Sequence, residues 1–151
     1  MNQLLKKKLN KKGFTLAELL IVVAIIAVLV AIAIPVFTKR LEHAKETTDM
    51  ANLRSAYAAA QVAALTDKVD DTKTYYFDAK GTTGSALAAL EGLTETKTAG
   101  TAIGQGTATN GNAKSGALPG VCKYDNSTDV REKYIQIEFE NGQVSEIKFA
   151  S

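Results

Sequence analysis

The sequence is poor in the two residue types that most often bind zinc, histidine and cysteine. Its 151 residues include one cysteine, Cys122, one histidine, His43, and no tryptophan. A single cysteine excludes an intrachain disulfide, and a single histidine argues against a zinc site or a histidine-based catalytic set. We expect Cys122 to be a small buried or half-buried thiol. No catalytic residue, cofactor or metal site is predicted, and the protein is not expected to be an enzyme.

Charge is distributed unevenly along the chain, although the net charge is only +2. Residues 1–13 hold five lysines and no acidic residue, whereas the rest of the chain carries 13 basic and 16 acidic side chains. A basic tail therefore precedes a mildly acidic body. That body lacks the clustered basic residues typical of a nucleic-acid interface, so direct nucleic-acid binding is not expected.

A long hydrophobic segment begins directly after the basic tail. The sixteen residues 19–34 are all apolar, and only Thr15, Glu18 and Pro35 interrupt the wider segment 14–37. About 20 mostly apolar residues are enough for a helix to span a membrane, and the preceding lysines predict a cytoplasmic N-terminus. A secretory signal peptide would have a shorter apolar stretch followed by a small-residue cleavage site. A plain single-pass anchor explains the length of the segment but does not explain why it contains the carboxylate of Glu18.

Glu18 is the one charged side chain in this segment. The helix dipole favours a carboxylate near a helix N-terminus, but this gain is smaller than the cost of placing an acidic side chain at the centre of a bilayer. Glu18 is therefore expected to have a cationic partner. A cut between Gly13 and Phe14 would create one, because Phe14 would then carry a new α-amine. The alternative is that Glu18 caps its own helix, and the two roles are compatible at different stages.

The order of these residues strongly resembles the N-terminus of type IV pilins and of the related pseudopilins of type II secretion and competence systems. The resemblance covers about residues 6–66 and is carried by the sequence KKGFTLAELLIVVAIIAVLVAIAIP. Its parts are a basic leader that includes Lys11 and Lys12, then Gly13 and Phe14, a glutamate five positions after the glycine, and the long apolar helix. The resemblance is to a type IV pilin precursor with a class III leader peptide.

The resemblance assigns roles to individual residues of this segment. It implies that a prepilin peptidase cuts after Gly13 and methylates the amino group of Phe14. It also implies that Glu18 pairs with the Phe14 amine of a neighbouring subunit during assembly. Pro35 corresponds to the proline at which the family helix bends, which agrees with the loss of a helical hydrogen bond at any internal proline.

Beyond Arg40 the pattern changes from uniformly apolar to amphipathic, and the helix is predicted to run from Phe14 to about Thr66. One face recurs at steps of three and four and is expected to pack on a small domain: Leu41, Ala44, Thr48, Ala51, Ser55, Ala58, Val62 and Leu65, broadened by Met50, Leu53 and Tyr57. The charged residues are assigned mainly to the other faces: Lys39, Arg40, Glu42, Lys45, Glu46, Asp49 and Arg54.

The middle of the chain is predicted to be loop with one short helix. Residues 75–77 are expected either to begin a strand or to cover the long helix, and residues 85–91 read as a short capped helix. Residues 94–120, rich in Thr, Ala, Gly and Asn, are predicted to be an exposed, solvated connection. Three acids are expected to form a solvated turn rather than a metal site: Asp67, Asp70 and Asp71.

The C-terminal part predicts a hairpin, because two alternating apolar segments flank Asn141-Gly142. We favour a three-residue loop over residues 140–142, since a two-residue turn would mix Glu146 and Lys148 with the apolar face. The three-residue loop places Val144 on the outer face. It aligns one apolar set: Ile135, Ile137, Phe139, Ile147 and Phe149. Residues 121–124 are a candidate third strand.

Together with the resemblance, these elements predict an α+β pilin fold, in which a long N-terminal helix packs on a small antiparallel β-sheet. The sequon at Asn126 is interpreted as coincidental. The predicted organisation is a cleaved leader, 1–13, a transmembrane or filament-core half-helix, 14–37, and a globular head, 38–151. The head would comprise the amphipathic half-helix, 38–66, a loop and short helix, 67–120, and C-terminal antiparallel strands, 121–151.

The function implied by the resemblance is structural. The chain is expected to be a type IV pilus subunit whose partners are copies of itself, the prepilin peptidase, the pilus assembly platform, minor pilins and the membrane. The precursor would lie in the cytoplasmic membrane with its head outside, and the mature subunit in a surface filament serving adhesion, twitching motility, biofilm or DNA uptake. A pseudopilin is the nearest alternative. A membrane-tethered enzyme or receptor would need a catalytic or ligand constellation in residues 67–151, and the sequence offers none.

Overall fold

The structure is a computed structural model that describes residues 13–66, 69–79, 92–97, 102–109, 111, 113 and 118–151. The chain divides into two compact units, one ending at Thr38 and one beginning at Lys39. The elements are one helix and five strands: α1 (Leu16–Leu65), β1 (Tyr75–Phe77), β2 (Leu93–Thr94), β3 (Cys122–Lys123), β4 (Tyr134–Glu140) and β5 (Gln143–Ala150). This confirms the predicted α+β class. The short helix predicted at 85–91 lies outside the described residues.

The N-terminal unit contains the apolar part of α1, which is long and apolar enough to cross a membrane. All described residues from Gly13 to Thr38 are exposed. A helix that is apolar on every side offers no polar face to water, so this segment needs lipid or other helices around it. The helix continues through Pro35. The bend expected there remains a prediction.

In the second unit, the buried face of α1 differs from the predicted one. The buried residues are Glu42, Glu46, Asp49, Met50, Leu53, Ala56, Ala60 and Ala63. The eight residues of the predicted main face are all exposed, and only Met50 and Leu53 of the broader set are buried. The prediction was wrong because it assigned the charged residues mainly to the other faces, whereas three of them, Glu42, Glu46 and Asp49, lie on the packed face.

In the second unit, Lys39–Ser151, which we call the head, the hydrophobic core joins the small residues of α1 to the sheet. The buried hydrophobic cluster consists of Leu53, Ala56, Ala60, Ala63, Tyr75, Phe77, Leu93, Cys122, Ile135, Ile137, Phe139 and Ile147. Tyr75 and Phe139 meet edge to face with ring centroids 5.4 Å apart. Cys122 is buried, as predicted, and burial raises the pKa of its thiol. Alanines on the helix and large side chains on the strands interdigitate, which is how a close-packed core is filled.

The sheet has the strand order β2-β1-β4-β5-β3. Residues 75–77 form strand β1, which decides between the two alternatives left open by the sequence, and the candidate third strand is present as β3. The pairs β1–β2, β1–β4 and β4–β5 are antiparallel, but β3 runs parallel to β5. The sheet is therefore mixed and not wholly antiparallel as predicted.

The hairpin between β4 and β5 has a shorter turn than predicted. Asn141 and Gly142 alone form the turn, with left-handed φ values of 53° and 73°. The extra residue lies instead in β5 at Ser145, where the pairing shifts by one position and the hydroxyl donates to the carbonyl of Glu138 over 3.1 Å. The bulge also brings Val144 against the core rather than onto the outer face. Beyond the bulge, the predicted apolar alignment is confirmed: Ile135 pairs with Phe149 and Ile137 with Ile147.

Candidate functional site

The predicted processing site lies immediately before the first turn of α1. Gly13, Phe14 and Thr15 precede the first helical residue, Leu16, so the Gly13–Phe14 peptide bond has no helical hydrogen bonding around it. The Phe14 side chain is 89% exposed, and apart from Gly13 and its two chain neighbours no described residue lies within 4 Å of the position a Cβ would take at Gly13. Among the described residues, nothing packs over this bond. The predicted leader residues Lys11 and Lys12 lie outside the described residues.

Thr15 and Glu18 form a reciprocal cap at the start of α1. The carboxylate oxygen Oε2 of Glu18 accepts hydrogen bonds from the Thr15 backbone N–H over 2.7 Å and from the Thr15 hydroxyl over 2.9 Å. In return, the Glu18 N–H donates to the Thr15 hydroxyl oxygen over 3.2 Å. This pattern is the capping box, in which a Thr at the N-cap and a Glu three residues later satisfy otherwise unpaired N–H groups.

The cap uses only one of the two carboxylate oxygens of Glu18. Both Thr15 contacts are made to Oε2, and no hydrogen bond to Oε1 occurs within the described part of the chain. A carboxylate has room for about four hydrogen bonds. Glu18 can therefore cap its own helix and accept a further cationic donor at the same time, so the two roles weighed from the sequence do not compete.

Sequence analysis missed a second set of carboxylates on α1, which we call the carboxylate ladder: Glu42, Glu46 and Asp49. Their exposed fractions are 4%, 0% and 0%. Steps of four and three place them on one face of the helix. They accept hydrogen bonds from backbone N–H groups of residues 105–113, which we call the strap; positions 110 and 112 of the strap lie outside the described residues.

Asp49 and Glu42 bind the first part of the strap. The N–H groups of Gln105 and Gly106 donate to the two oxygens of Asp49 over 2.9 and 2.7 Å, and the N–H of Thr107 donates to Glu42. The Tyr124 hydroxyl adds a longer hydrogen bond of 3.3 Å to Asp49. Burial is the main cause of a raised pKa at Asp49, with the like charge of Glu42 adding to it, and the hydrogen bonds offset this only in part.

Glu46 binds the last part of the strap and one side chain beyond it. Its carboxylate accepts from the N–H of Gly111 over 2.6 Å, from the N–H of Ala113 over 2.9 Å, and from the amide of Asn126 over 2.9 Å. The Asn126 amide also donates to the carbonyl of Ala113 over 2.9 Å. The Asn126 side chain is thus engaged in internal hydrogen bonds; the interpretation of its sequon as coincidental stays a prediction.

Glycines allow the strap to approach the helix this closely. A Cβ at Gly111 would lie 2.4 Å from the backbone nitrogen of His43, and one at Gly106 would lie 2.9 Å from the Asp49 carboxylate. Glycine is the residue that permits such contact between two backbones. The described residues of the strap are therefore held against α1, in contrast to the solvated connection predicted for residues 94–120.

The comparisons with known proteins bear on the N-terminal site. Residues 8–34 match the family model described as a prokaryotic N-terminal methylation motif. The chain is 52% identical over 50 residues to the type IV major pilin protein PilA of Myxococcus xanthus, covering 33% of this chain and 23% of that protein. It is 49% identical over 59 residues to the type IV narrow pilus major component PilA5 of Thermus thermophilus, covering 37% of this chain and 51% of that protein. No solved structure gave a significant match.

The similarity has a defined extent. The matched segments span about half or less of the lengths of these two relatives, and the family model ends at residue 34. Within that extent, the match includes Gly13, Phe14, Glu18 and the start of the apolar helix. The resemblance seen in the sequence is thus confirmed: residues 8–34 match the prokaryotic N-terminal methylation motif, and about a third of the chain is similar to type IV major pilins.

Proposed function

We propose that the chain is the precursor of a structural subunit of a type IV pilus. The observation that carries the proposal is the match of residues 8–34 to the N-terminal methylation motif. The accessibility of the Gly13–Phe14 bond, directly before a capped, membrane-compatible helix, supports it. A prepilin peptidase cuts after Gly13 and methylates the Phe14 amino group. Cleavage removes the lysine-rich leader and leaves a chain that starts at the apolar helix.

In the assembled filament, the Phe14 amine of one subunit pairs with Glu18 of its neighbour. The free oxygen of Glu18 supports this role, because Oε2 can keep capping α1 while Oε1 receives the cation. In surroundings without water, an ion pair of this kind is strongly favoured over two separate charges. The apolar half-helix 14–37 exchanges lipid contacts for contacts with other helices, and Pro35 bends it there.

The precursor lies in the cytoplasmic membrane with its N-terminus in the cytoplasm and its head outside, and the mature subunit lies in a surface filament. The assembly platform and minor pilins take part in filament formation. Adhesion, motility, biofilm and DNA uptake are all compatible with such a fibre. A pseudopilin is the weaker candidate, because the two relatives described above are pilins and one is named a major pilus component.

The first experiment is intact-mass and N-terminal analysis of the protein purified from its native membrane. We expect a chain that begins at N-methylated Phe14. A chain that still begins at Met1 would show that the segment serves only as an anchor, and this result would contradict the proposal.

A second experiment separates the two roles of Glu18. Glu18→Gln keeps an acceptor for the cap, since Gln is also found in capping boxes, but it removes the charge. Glu18→Ala removes both. We expect both variants to reach the membrane at normal levels and to form few or no filaments in electron micrographs, with Glu140→Gln, at an exposed position of the head, as the matched control. Filaments formed normally by Glu18→Gln would contradict the ion pair.

A further inference from the structure

The turn between β4 and β5 contains a chemically labile pair, Asn141-Gly142. In an Asn-Gly sequence the backbone nitrogen of the glycine can attack the asparagine side chain, because glycine has no side chain to hinder the approach. Asn141 is exposed to solvent. The turn is therefore reachable by the water and hydroxide that this reaction requires.

The reaction converts the asparagine amide into an acid and involves no oxidation. The Gly142 nitrogen loses its proton to hydroxide and attacks Cγ of Asn141. A bond forms between these two atoms, the bond from Cγ to the side-chain nitrogen breaks, and that nitrogen leaves as ammonia after taking a proton from water. Water then opens the resulting five-membered imide at one of its two carbonyls, giving aspartate or isoaspartate.

The structure places a carboxylate on the attacking atom. The Gly142 N–H donates to both oxygens of Asp71, over 3.1 and 3.2 Å. Asp71 belongs to the turn before β1, far from Gly142 in sequence, so the contact depends on the folded head. A negative charge beside this N–H disfavours loss of its proton, because two negative charges would then be adjacent. The hydrogen bond also fixes the direction of the N–H.

We propose that Asn141 is a latent deamidation site of the head and that Asp71 suppresses the reaction by holding the Gly142 nitrogen in its protonated, hydrogen-bonded form. Asp71 thus acts on the reaction indirectly, through the Gly142 N–H that it holds. The reaction would matter to the fold, because isoaspartate adds one backbone carbon to a two-residue turn whose φ values are both left-handed. The added carbon would disturb the pairing of the strands that the turn joins.

A second observation points the same way. The chain contains one other Asn-Gly sequence, Asn110-Gly111, and the Gly111 N–H donates to the buried carboxylate of Glu46 over 2.6 Å. Asn110 itself lies outside the described residues. In both Asn-Gly sequences the nitrogen that would attack is therefore held by a carboxylate.

The test measures deamidation in the full-length protein in detergent at mildly alkaline pH. The variants are Asp71→Asn, which removes the charge and keeps an acceptor, and Asp71→Ala, which removes both. Asp125→Asn is the matched control, because Asp125 is an exposed carboxylate whose side-chain hydrogen bonds, among the described residues, are to Ser127 and Thr128 of its own turn. Trypsin releases residues 134–148 as one peptide with Asn141 as its only asparagine. The acid and isoaspartate forms of this peptide are then followed by mass spectrometry.

We expect deamidation of Asn141 to be roughly two- to fivefold faster in Asp71→Ala than in the parent, the factor for losing one exposed charge-assisted hydrogen bond. Asp71→Asn should be intermediate, and Asp125→Asn should match the parent. Equal rates in all four proteins would overturn the proposal, and a slower rate in Asp71→Ala would show that Asp71 acts as a base instead. Hydrogen exchange shows whether Asp71→Ala loosens the hairpin. If it does, the test rests on Asp71→Asn, and an Asn141 deamidation rate in that variant equal to that of the parent overturns the proposal.

Discussion

Helix α1 carries carboxylates in two different settings. Glu18 is exposed in the first turn, where it caps the helix with one oxygen and keeps the other free of hydrogen bonds within the described chain. The carboxylate ladder is buried, and each of its members receives backbone N–H groups of the strap. A buried charge must be satisfied inside its own molecule. An exposed carboxylate can keep an acceptor for another molecule, and this difference separates the buried carboxylates that hold the strap from the exposed one at the start of the same helix.

The largest effect on the stability of the head is expected for Glu46→Ala. This change removes the acceptor of the N–H groups of Gly111 and Ala113 and one of the two acceptors of the Asn126 amide, which keeps its hydrogen bond to the Ala113 carbonyl. The free energy of unfolding should fall by about 2–4 kcal/mol. Denaturant unfolding in detergent measures it through the tyrosine signal, since all five tyrosines lie in the unit beginning at Lys39. The exposed Glu140→Ala is the control, and an equal effect of the two changes would show that the ladder does not stabilise the head.

Gly111→Ala tests the strap from the opposite side. The new methyl group would meet the His43 backbone nitrogen at 2.4 Å, so the strap must move away from the ladder. We expect a loss of about 1–3 kcal/mol in the free energy of unfolding, as for other overpacked sites. Gly120→Ala is the matched control, because apart from Gly120 and its two chain neighbours no described residue lies within 4 Å of its Cβ position. If Gly111→Ala and Gly120→Ala unfold alike, the strap does not need to lie this close.

Thr15→Val tests the cap that Thr15 and Glu18 form at the exposed start of α1. The substitution keeps the shape of the side chain but removes the hydroxyl that bonds with Glu18, which should lower local helix stability by about 1 kcal/mol. The unfolding of the head should not change. Hydrogen exchange of the first-turn amides of α1 measures the effect, and Thr15→Ser should retain the parent rates. Unchanged exchange in Thr15→Val would mean that the cap contributes nothing to the start of the helix.

The smallest expected effect is a pH dependence at Asp49. Its pKa in the folded protein is raised above the ordinary value of 3.8 by burial, so the folded state holds this proton more tightly than the unfolded state does. The stability contributed by protonated Asp49 is therefore complete below pH 3.8 and declines as pH rises through the folded pKa. The free energy of unfolding of the parent, measured relative to that of Asp49→Asn, should therefore fall as pH rises over that interval. A difference that grows with pH would show that the strap N–H groups favour the charged form more than burial opposes it.

The N-terminal site was predictable because its signals are local. Gly13, Phe14 and Glu18 lie within one short segment, and the cap partner of Glu18 is only three residues away. The apolar face of the hairpin was predictable for the same reason. Its turn length was not, because an extra residue in the loop and an extra residue in the strand, as found at Ser145, give the same pairing of Ile135 with Phe149 and of Ile137 with Ile147. The two arrangements differ at Val144, which packs against the core in the structure.

The carboxylate ladder was not predicted because its partners are backbone N–H groups 56 or more positions away, and backbone groups leave no mark in a sequence. One signal was available. Glu42, Glu46 and Asp49 continue the three- and four-residue spacing of Leu53 and Ala56 toward the N-terminus, so they share the face of those core residues. Glycines in a distant loop are consistent with a backbone that approaches closely, but they do not say which helix it approaches.

The strap is attached to the helix through atoms that every amino acid except proline possesses. Gln105, Ala108 and Thr109 present exposed side chains, and the attachment of the strap does not use the side chains of these residues. Such positions can change in charge, size or polarity while the main chain follows the same path, provided that the close glycines are kept. The head can thus alter the chemistry it presents to its surroundings while the framework beneath it stays the same.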